Sequence, residues 1–496
     1  MTFEIVFVLL SLLGMVAALI ADKMRPGMIL FSVVVLFLCA GILTPKEMLE
    51  GFSNKGMITV ALLFLVSEGI RQSGTLGQVI KKLLPQGKTT VFKAQLRILP
   101  SVAFISAFLN NTPVVVIFAP IIKHWAKSVN LPATKFLIPL SYVTILGGIC
   151  TLIGTSTNLV VHGMILEAGF EGFSMFELGK VGIFIAIAGI IYIFLFSKRL
   201  LPDARPDTAV PDEEIEEGEK FHRVEAVLGA RFPGINKKLK DFNFQRHYGA
   251  EVKEIKTRNG QRFVTNLDDV VLHEGDTLVV MADDTFIPTW GESSVFVLLT
   301  NGNEPDTTGK KKRWFALLLL VLMIVGATVG ELPITKEMFP DIKLDMFFFV
   351  SITTIIMAWT NLFPARKYTK YISWDILITI ACAFAISKAM VNSGVADSVA
   401  KFIIGLSDDY GPHVLLAMVF IITNLFTELI TNNAAAALAF PLALSISAQL
   451  GVSPTPFFVV ICMAASASFS TPIGYQTNLI VQGIGNYKFT DFVRIG

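Results

Sequence analysis

The chain has 496 residues, 53% of them hydrophobic and only 16% charged, with a formal net charge of +2. A soluble protein of this length needs more surface charge and a nucleic-acid binder a larger basic excess, so the composition excludes both and indicates an integral membrane protein. The four cysteines (Cys39, Cys150, Cys382, Cys462) lie in apolar segments without metal-ligand spacing and read as buried thiols rather than disulfides.

In chain order, apolar blocks long enough to cross a hydrocarbon core cover 3–21, 27–43 and 56–72. No basic segment precedes the first, which therefore reads as a retained span and not a cleaved signal. An apolar stretch over 92–127 carries a polar kink, LNNTP, at 109–113. An interrupted span over 133–168 and a span over 177–198 follow. Residues 200–220, rich in Pro, Asp and Glu, read as a linker. Residues 221–300 read as a small α+β domain: EVKEIKTRNGQRF (251–263) alternates around an Asn-Gly turn, DTLVVMA (276–282) suits a buried strand, and GINKKLKDFNF (234–244) suits a short helix. This region has no G-x-G-x-x-G and no P-loop, so no organic cofactor is expected. Spans at 313–333, 343–361 and 371–391 come next, then a stretch over 411–449 kinked at ITNNA (430–434), then an interrupted span over 454–486.

Two adjacent Asn residues in mid-membrane are costly unless they line a polar cavity. Each kinked stretch is therefore expected to be a re-entrant hairpin with its tip at the Asn pair. The alternative is two ordinary helices joined by a short polar loop.

The chain repeats itself. TLIGTSTNLVVHG (151–163) and TPIGYQTNLIVQG (471–483) share eight of thirteen positions at an offset of 320. MITVALLFLVSEGIRQSG (57–74) aligns with LITIACAFAISKAMVNSG (377–394) at the same offset. Around the kinks the offset is 321: Ser106, Asn110, Asn111 and Thr112 face Thr427, Thr431, Asn432 and Asn433, and Pro120 faces Pro441. The reading is an all-α polytopic protein with a first repeat over 1–199, the linker, the 221–300 domain and a second repeat over 301–496.

Each complete repeat crosses five times, an odd number, so the copies are inverted. Loop charge agrees: Lys23 and Arg25; Arg71, Lys81, Lys82, Lys88, Lys93 and Arg97; and Arg366, Lys367 and Lys370 fall on one side, while the acidic 164–176 and 392–413 fall on the other. This places the N-terminus outside and 200–310 in the cytoplasm. ELGKVG (177–182) leads into a span whereas the comparable DFVRIG (491–496) ends the sequence, so one more span is expected in the natural protein.

Inverted repeats with broken helices are the architecture of secondary transporters, with the site near the midplane. Helix N-termini offer N–H donors to an anion, while unwound carbonyls and neutral side-chain oxygens suit a small hard cation. Four polar clusters fit this chemistry: Ser106/Asn110/Asn111/Thr112, Thr151/Gly154/Ser156/Asn158, Thr427/Thr431/Asn432/Asn433 and Ser470/Thr471/Gly474/Asn478. Each tip would pair with the broken helix of its own half. The expected Na+ ligands are Ser106, Asn111, Thr151 and Gly154 in one site and Thr427, Asn432, Ser470 and Gly474 in the other. Asn110, Asn111, Thr112, Thr431, Asn432, Asn433 and Thr471 would hold the anion between them, with Ser156, Asn158, Asn478 and Glu428 as secondary candidates. The competing reading makes these residues interhelical glue. Glu428 reads as a structural partner, with a proton or cation role as the alternative. Glu68 and Lys388 are repeat mates, each expected at its own interface although a cross-repeat ion pair is open to them. No nucleophile–base or metal set lies within the spans, so an enzyme is not expected.

The tips SAFLNNTP and TELITNNA, with the two T-x-I-G-x-x-T-N-L segments, resemble the divalent anion:sodium symporter family of the ion-transporter superfamily over nearly all of 1–198 and 313–496. Family members carry Ser-Asn-Thr at each tip, touching both Na+ and a dicarboxylate, citrate or sulfate. Here the tips read Asn110-Asn111-Thr112 and Thr431-Asn432-Asn433, which puts carboxylate specificity in doubt. RVEAVLGARFPGINKKLKDF through LHEGDTLVVMADD resembles the TrkA C-terminal domain over about 221–286, a dimerising module that in some cases binds a small regulator. Members with that insert include inorganic-anion permeases. The resemblance thus implies Na+-coupled import of a divalent anion, sulfate first and a dicarboxylate with Na+ or H+ as the alternative, by elevator motion of a homodimer in a bacterial inner membrane. A membrane sensor of anion levels is the reading from another class.

Overall fold

A computed structural model of the chain describes residues 3–21, 24–203, 221–229, 231–257, 261–283, 286–290, 295–300, 310–339, 341–405, 411–472 and 474–496. The first repeat opens with α1 (Phe3–Ala21), α2 (Pro26–Cys39) and α3 (Lys55–Gln72). A short α4 (Thr75–Leu83) follows, then α5 (Val91–Ser106) and α6 (Asn111–Ser128), the broken pair α7 (Leu137–Gly148) and α8 (Ser156–Glu167), and α9 (Gly179–Leu200). Among the described residues, seven segments are long and apolar enough to cross a membrane, and α2 and α7 are shorter apolar helices. Helices dominate because a lipid environment requires every backbone N–H and C=O to be satisfied within the segment. The outward faces of α1 and α9 expose Leu10, Leu13, Phe184, Ile187 and Leu195, a surface made for acyl chains and not for water.

Between the repeats lies a five-stranded antiparallel sheet, order β3-β2-β4-β1-β5. Its strands are β1 (Phe221–Leu228), β2 (Glu251–Lys256), β3 (Arg262–Phe263), β4 (Thr277–Asp283) and β5 (Phe296–Thr300), with a five-residue α10 (Phe244–Tyr248) before β2. Its core gathers Phe232, Phe242, Phe244, Tyr248 and Phe296. The helix expected over 234–244 does not form. Asn236 is left-handed at φ +61°, and its N–H, like that of Leu239, bonds out to the 270–272 segment at 2.8 and 3.0 Å. Only a 3-10 turn at Leu239–Asp241 remains. The Asn-Gly turn lies outside the described residues, flanked by a Thr257 N–H to Gln261 carbonyl bond of 2.9 Å.

The second repeat runs α11 (Lys310–Gly330), α12 (Met346–Trp359), α13 (Trp374–Asn392), α14 (Val395–Gly405), α15 (Pro412–Leu429), α16 (Asn432–Leu450), α17 (Thr455–Ser466) and α18 (Gln476–Gly485). The packing repeats with the sequence. Helix α2 lies on α13 as α12 lies on α3, α5 on α7 as α15 on α17, and α6 on α18 as α16 on α8. The first two and the last two of these pairs cross between repeats, so the copies interlock. Gly74 and Gly394, repeat mates at φ +69° and +76°, make the left-handed turns into α4 and α14, a conformation glycine adopts without penalty.

Glu68 binds Arg71 and Gln72 on its own helix and Lys388 lies near Glu47 and Glu167, so the alternative of a Glu68–Lys388 cross-repeat pair is not taken up among the described residues. Cys382 and Cys462 are buried, but Cys150 is half-buried and Cys39, at the end of α2, is exposed; all four are free thiols.

Candidate functional site

The helix breaks are held open by asparagine. Asn158 Nδ2 donates to the carbonyls of Gly148 (3.4 Å) and Thr151 (2.9 Å), which α7 and α8 leave unpaired between them. Asn478, 320 residues on, donates to the carbonyls of Ser468 (2.9 Å) and Thr471 (3.1 Å). The same two bonds at the same offset identify a built feature: a buried carbonyl must find a donor, and here a side chain supplies it. Gly154 and Gly474 let the two sides of each break meet. A Cβ on Gly154 would strike the Gly148 backbone, and one on Gly474 would strike Ser468 Oγ and, at 2.8 Å, the Thr427 carbonyl.

Within each tip the same two positions meet: Ser106 Oγ and the Asn111 amide are 2.8 Å apart, and Thr427 Oγ1 and the Asn432 amide 2.9 Å. The tips then close onto the breaks by different bonds: Thr151 Oγ1 donates to the tip carbonyl of Ala107, and Thr427 Oγ1 donates to the Ala465 carbonyl at 2.6 Å. The Asn111 amide satisfies all its neighbours when Nδ2 faces Ser106 Oγ (2.8 Å) and the carbonyls of Thr144 (3.1 Å) and Gly154 (3.2 Å), leaving Oδ1 to accept from the Tyr475 hydroxyl at 2.6 Å.

The two halves meet at their helix starts. Thr112 Oγ1 donates to Gln476 Oε1 (3.2 Å), and the mates of these residues, Asn433 and Ser156, are bonded at 3.4 Å, with Thr157 also donating to Asn433 at 3.2 Å. Thr155 Oγ1 and Tyr475 Oη, mates of each other, lie 3.2 Å apart. A residue that bonds its own repeat mate sits on the pseudo-two-fold axis, so this pair marks the centre. The N-caps of α6, α8, α16 and α18 are Asn110, Thr155, Thr431 and Tyr475, and none caps its helix with its own side chain. Four positive helix ends therefore converge on one place. Asn110 and Ser156 also line a small cavity with Val60, Val66, Ser67 and Leu320, between the first tip and α3 and α11.

Several buried oxygens have no hydrogen-bond partner among the described residues: at the breaks Asn158 Oδ1 in the first half and Ser466 Oγ and Ser468 Oγ in the second, and on α15 Thr423 Oγ1. Among the described residues no group of three or more His, Cys, Asp or Glu could hold a metal. The oxygen set is neutral at the first break and, apart from the Glu428 carboxylate, at the second, which fits a monovalent hard cation and not a transition metal. Glu428 Oε1 accepts from the backbone N–H groups of Phe469 (3.0 Å) and Ser470 (3.1 Å), doing for the donors of the second break what Asn478 does for its acceptors; Glu428 Oε2 is buried with no hydrogen-bond partner among the described residues.

A family profile described as citrate transporter, CitMHS, matches residues 16–446 and 342–495. The chain belongs to this family. It is 30% identical to an uncharacterized transporter of Synechocystis, over 94% of this chain and 89% of the relative. It is 27% identical to a putative sulfur deprivation response regulator of Chlamydomonas reinhardtii, over 94% of each. It is 23% identical to a probable sodium/sulfate cotransporter 3 of the same alga, over 96% of this chain and 84% of the relative. The protein is thus an integral membrane transporter and not an enzyme.

Within this citrate-transporter-family chain, the structure brings Ser106, Asn111, Thr151, Gly154, Ser156 and Asn158 together, and likewise Thr427, Asn432, Asn433, Thr471, Gly474 and Asn478. Asn110, Thr112 and Thr431 cap or open the tip helices around them. Ser470 is drawn in through its backbone N–H to Glu428, and it is Ser468 whose hydroxyl faces Gly474. Thr144, Thr155, Ser468 and Tyr475 join these clusters in the structure, and Ser466 ends α17 beside the second break. A signal for Thr155, Ser468 and Tyr475 existed in the repeat: 155 mates with 475, and 468 with Gly148, a neighbour of the first tip.

Proposed function

We propose that the protein couples Na+ to the import of a small divalent oxyanion, with sulfate as first candidate. The observation that carries this is the convergence of four helix N-termini, uncapped by their own side chains, beside two asparagine-braced breaks rich in buried oxygen. The first part favours an anion held by neutral N–H and O–H donors. Sulfate at neutral pH only accepts hydrogen bonds, and every group facing the centre can donate. The second part favours two cations. Ser106, Asn111, Thr151 and the Gly154 carbonyl would serve one; Thr427, Asn432, Ser468 and the second break, including Thr471 and Gly474, would serve the other.

Coupling follows from the Asn111 amide. A cation among the Thr144 and Gly154 carbonyls repels Nδ2 and attracts Oδ1, so its binding turns the amide and aims a donor at the anion. Asn432, its mate at the second tip, would act likewise in the second half. The hairpins would be re-entrant, with the N-terminus outside and the sheet domain cytoplasmic, and tips and broken helices would move together against α1–α3 and α11–α13. The names of the cotransporter relatives favour this reading for both ions.

A second reading, a sensor of anion supply, has one observation in its favour besides the name of the algal relative. The sheet domain touches α6 and α18, which begin at a tip and a break: Lys123 pairs with Glu225 at 3.1 Å, and Thr277 lies against Gly483.

Uptake of labelled sulfate into proteoliposomes under an imposed Na+ gradient, then a pH gradient, tests the proposal. Na+-dependent uptake that Asn111→Ala and Asn432→Ala abolish supports it. Uptake of succinate or citrate in place of sulfate contradicts the choice of anion, and uptake driven only by pH contradicts the coupling ion.

A further inference from the structure

The two repeats agree closely through their breaks, yet they disagree at the one position that lies on the axis. After Gly154 comes Thr155, and after Gly474 comes Tyr475. A threonine on one side leaves room, and the tyrosine takes it. The phenol of Tyr475, 8% exposed, reaches past Thr155 Oγ1 (3.2 Å) to the tip of the other repeat, where it meets Asn111 at 2.6 Å. The Asn432 side chain of the opposite tip interacts with the same hydroxyl. One hydroxyl is thus shared by both tips and both breaks.

Its consequence is steric and chemical together. Two tips related by a two-fold axis would by themselves form a two-lobed site, one lobe per tip, which suits an anion with two separated carboxylates. The phenol stands between the lobes. It would take the space for the carbon chain joining two carboxylates, and its single O–H, accepted here by Asn111 Oδ1, would be freed for the anion when the Asn111 amide turns. Resting on the function proposed above, we propose that Tyr475 is the specificity-determining residue of the site: it limits the substrate to one compact tetrahedral oxyanion, which it holds through its hydroxyl, and rejects four- to six-carbon di- and tricarboxylates. Thr155 acts with it as the short partner that lets the phenol cross the axis.

The test is equilibrium binding to purified full-length protein in NaCl, using labelled sulfate displaced by succinate or citrate, with the direct thermal shift caused by each anion read alongside. The proteins are the wild type, Tyr475→Thr, which copies the first repeat, and Tyr475→Phe, which keeps the bulk and loses the hydroxyl. Wild type should bind sulfate and ignore a large excess of succinate. Tyr475→Thr should gain succinate binding by at least tenfold relative to sulfate. Tyr475→Phe should still reject succinate but bind sulfate more weakly by about ten- to a hundredfold, the usual effect of losing a hydrogen bond to a charged group. Succinate binding to wild type, or to Tyr475→Phe as well as to Tyr475→Thr, overturns the proposal, as does a Tyr475→Thr protein that binds sulfate and still excludes succinate. Should Tyr475→Thr fail to fold, Tyr475→Phe decides: unchanged sulfate affinity overturns the role of the hydroxyl. Binding is read without transport, so failure of Na+-driven uptake bears on the proposed function and leaves this comparison intact.

Discussion

Gly154→Ala is the sharpest single perturbation of the first break. The added methyl meets only backbone: the Gly148 carbonyl oxygen, then its Cα at 2.7 Å and carbonyl carbon at 2.9 Å. No side chain can swing aside, so the two sides of the break must separate. Overpacking of this kind costs about 1–3 kcal/mol. The strain falls on the Gly148 and Gly154 carbonyls and on the Asn111 amide between them, so it should appear as weaker Na+ binding. At about 1.4 kcal/mol per decade, that is a rise of roughly five- to 150-fold in the Na+ concentration for half-maximal response. Gly474→Ala differs, because its first obstacle is the Ser468 side chain, followed by the Thr427 carbonyl at 2.8 Å. Ser468→Gly gives the second break what the first has at Gly148, so Gly474→Ala/Ser468→Gly should recover part of the loss. The assay is Na+-dependent thermal stabilisation of purified protein, with anion uptake in parallel. Wild-type Na+ response in Gly154→Ala, or no rescue of Gly474→Ala by Ser468→Gly, refutes the reasoning.

Asn158→Ala and Asn478→Ala each strip two buried carbonyls of their donor; at about 1–3 kcal/mol per orphaned group, both should lower the melting temperature by several degrees and blunt the Na+ response. Glu428→Gln keeps an acceptor for the Phe469 and Ser470 N–H groups and should transport with unchanged pH dependence, whereas Glu428→Ala should be strongly impaired; a shifted pH profile in Glu428→Gln would assign Glu428 a proton instead. Burial alone would raise the Glu225 carboxyl, but Lys123, then Lys256 and Arg223, outweigh it and hold it down to about 2. A depressed carboxyl stabilises above its ordinary range and loses that contribution as pH falls toward the folded value, so the α6–sheet contact should persist at pH 5. Glu225→Gln should loosen it at neutral pH, read as faster hydrogen exchange in β1 and the C-terminal turns of α6.

Much of the architecture was legible because the chain states it twice. The offset of 320–321 located both breaks and both tips, and the asparagines that brace them were visible as shared letters. The residues that escaped notice are those where the copies differ. Tyr475 against Thr155 looks like ordinary divergence until the two face each other across the axis. Ser468 against Gly148 shows its purpose only when its hydroxyl is seen beside Gly474, and neighbouring Ser470 has the same residue type with a different role. The lysine-rich segment over 234–244 carried a helical pattern, but pairing with the 270–272 segment and a left-handed Asn236 satisfied its backbone otherwise. Glu68 stays on its own helix, as expected, since Arg71 is one turn away and needs no second repeat to reach it.

Linkage between the two ions at equilibrium tests the central claim most directly. Labelled-sulfate affinity should be measured in NaCl and in choline chloride at equal ionic strength, and Na+ affinity with and without sulfate, for wild type and Asn111→Ala. If the tip amides read both ligands, Na+ should tighten sulfate at least tenfold, sulfate should tighten Na+ by the same factor, and Asn111→Ala should erase the coupling. Sulfate affinity equal in the two salts would contradict it.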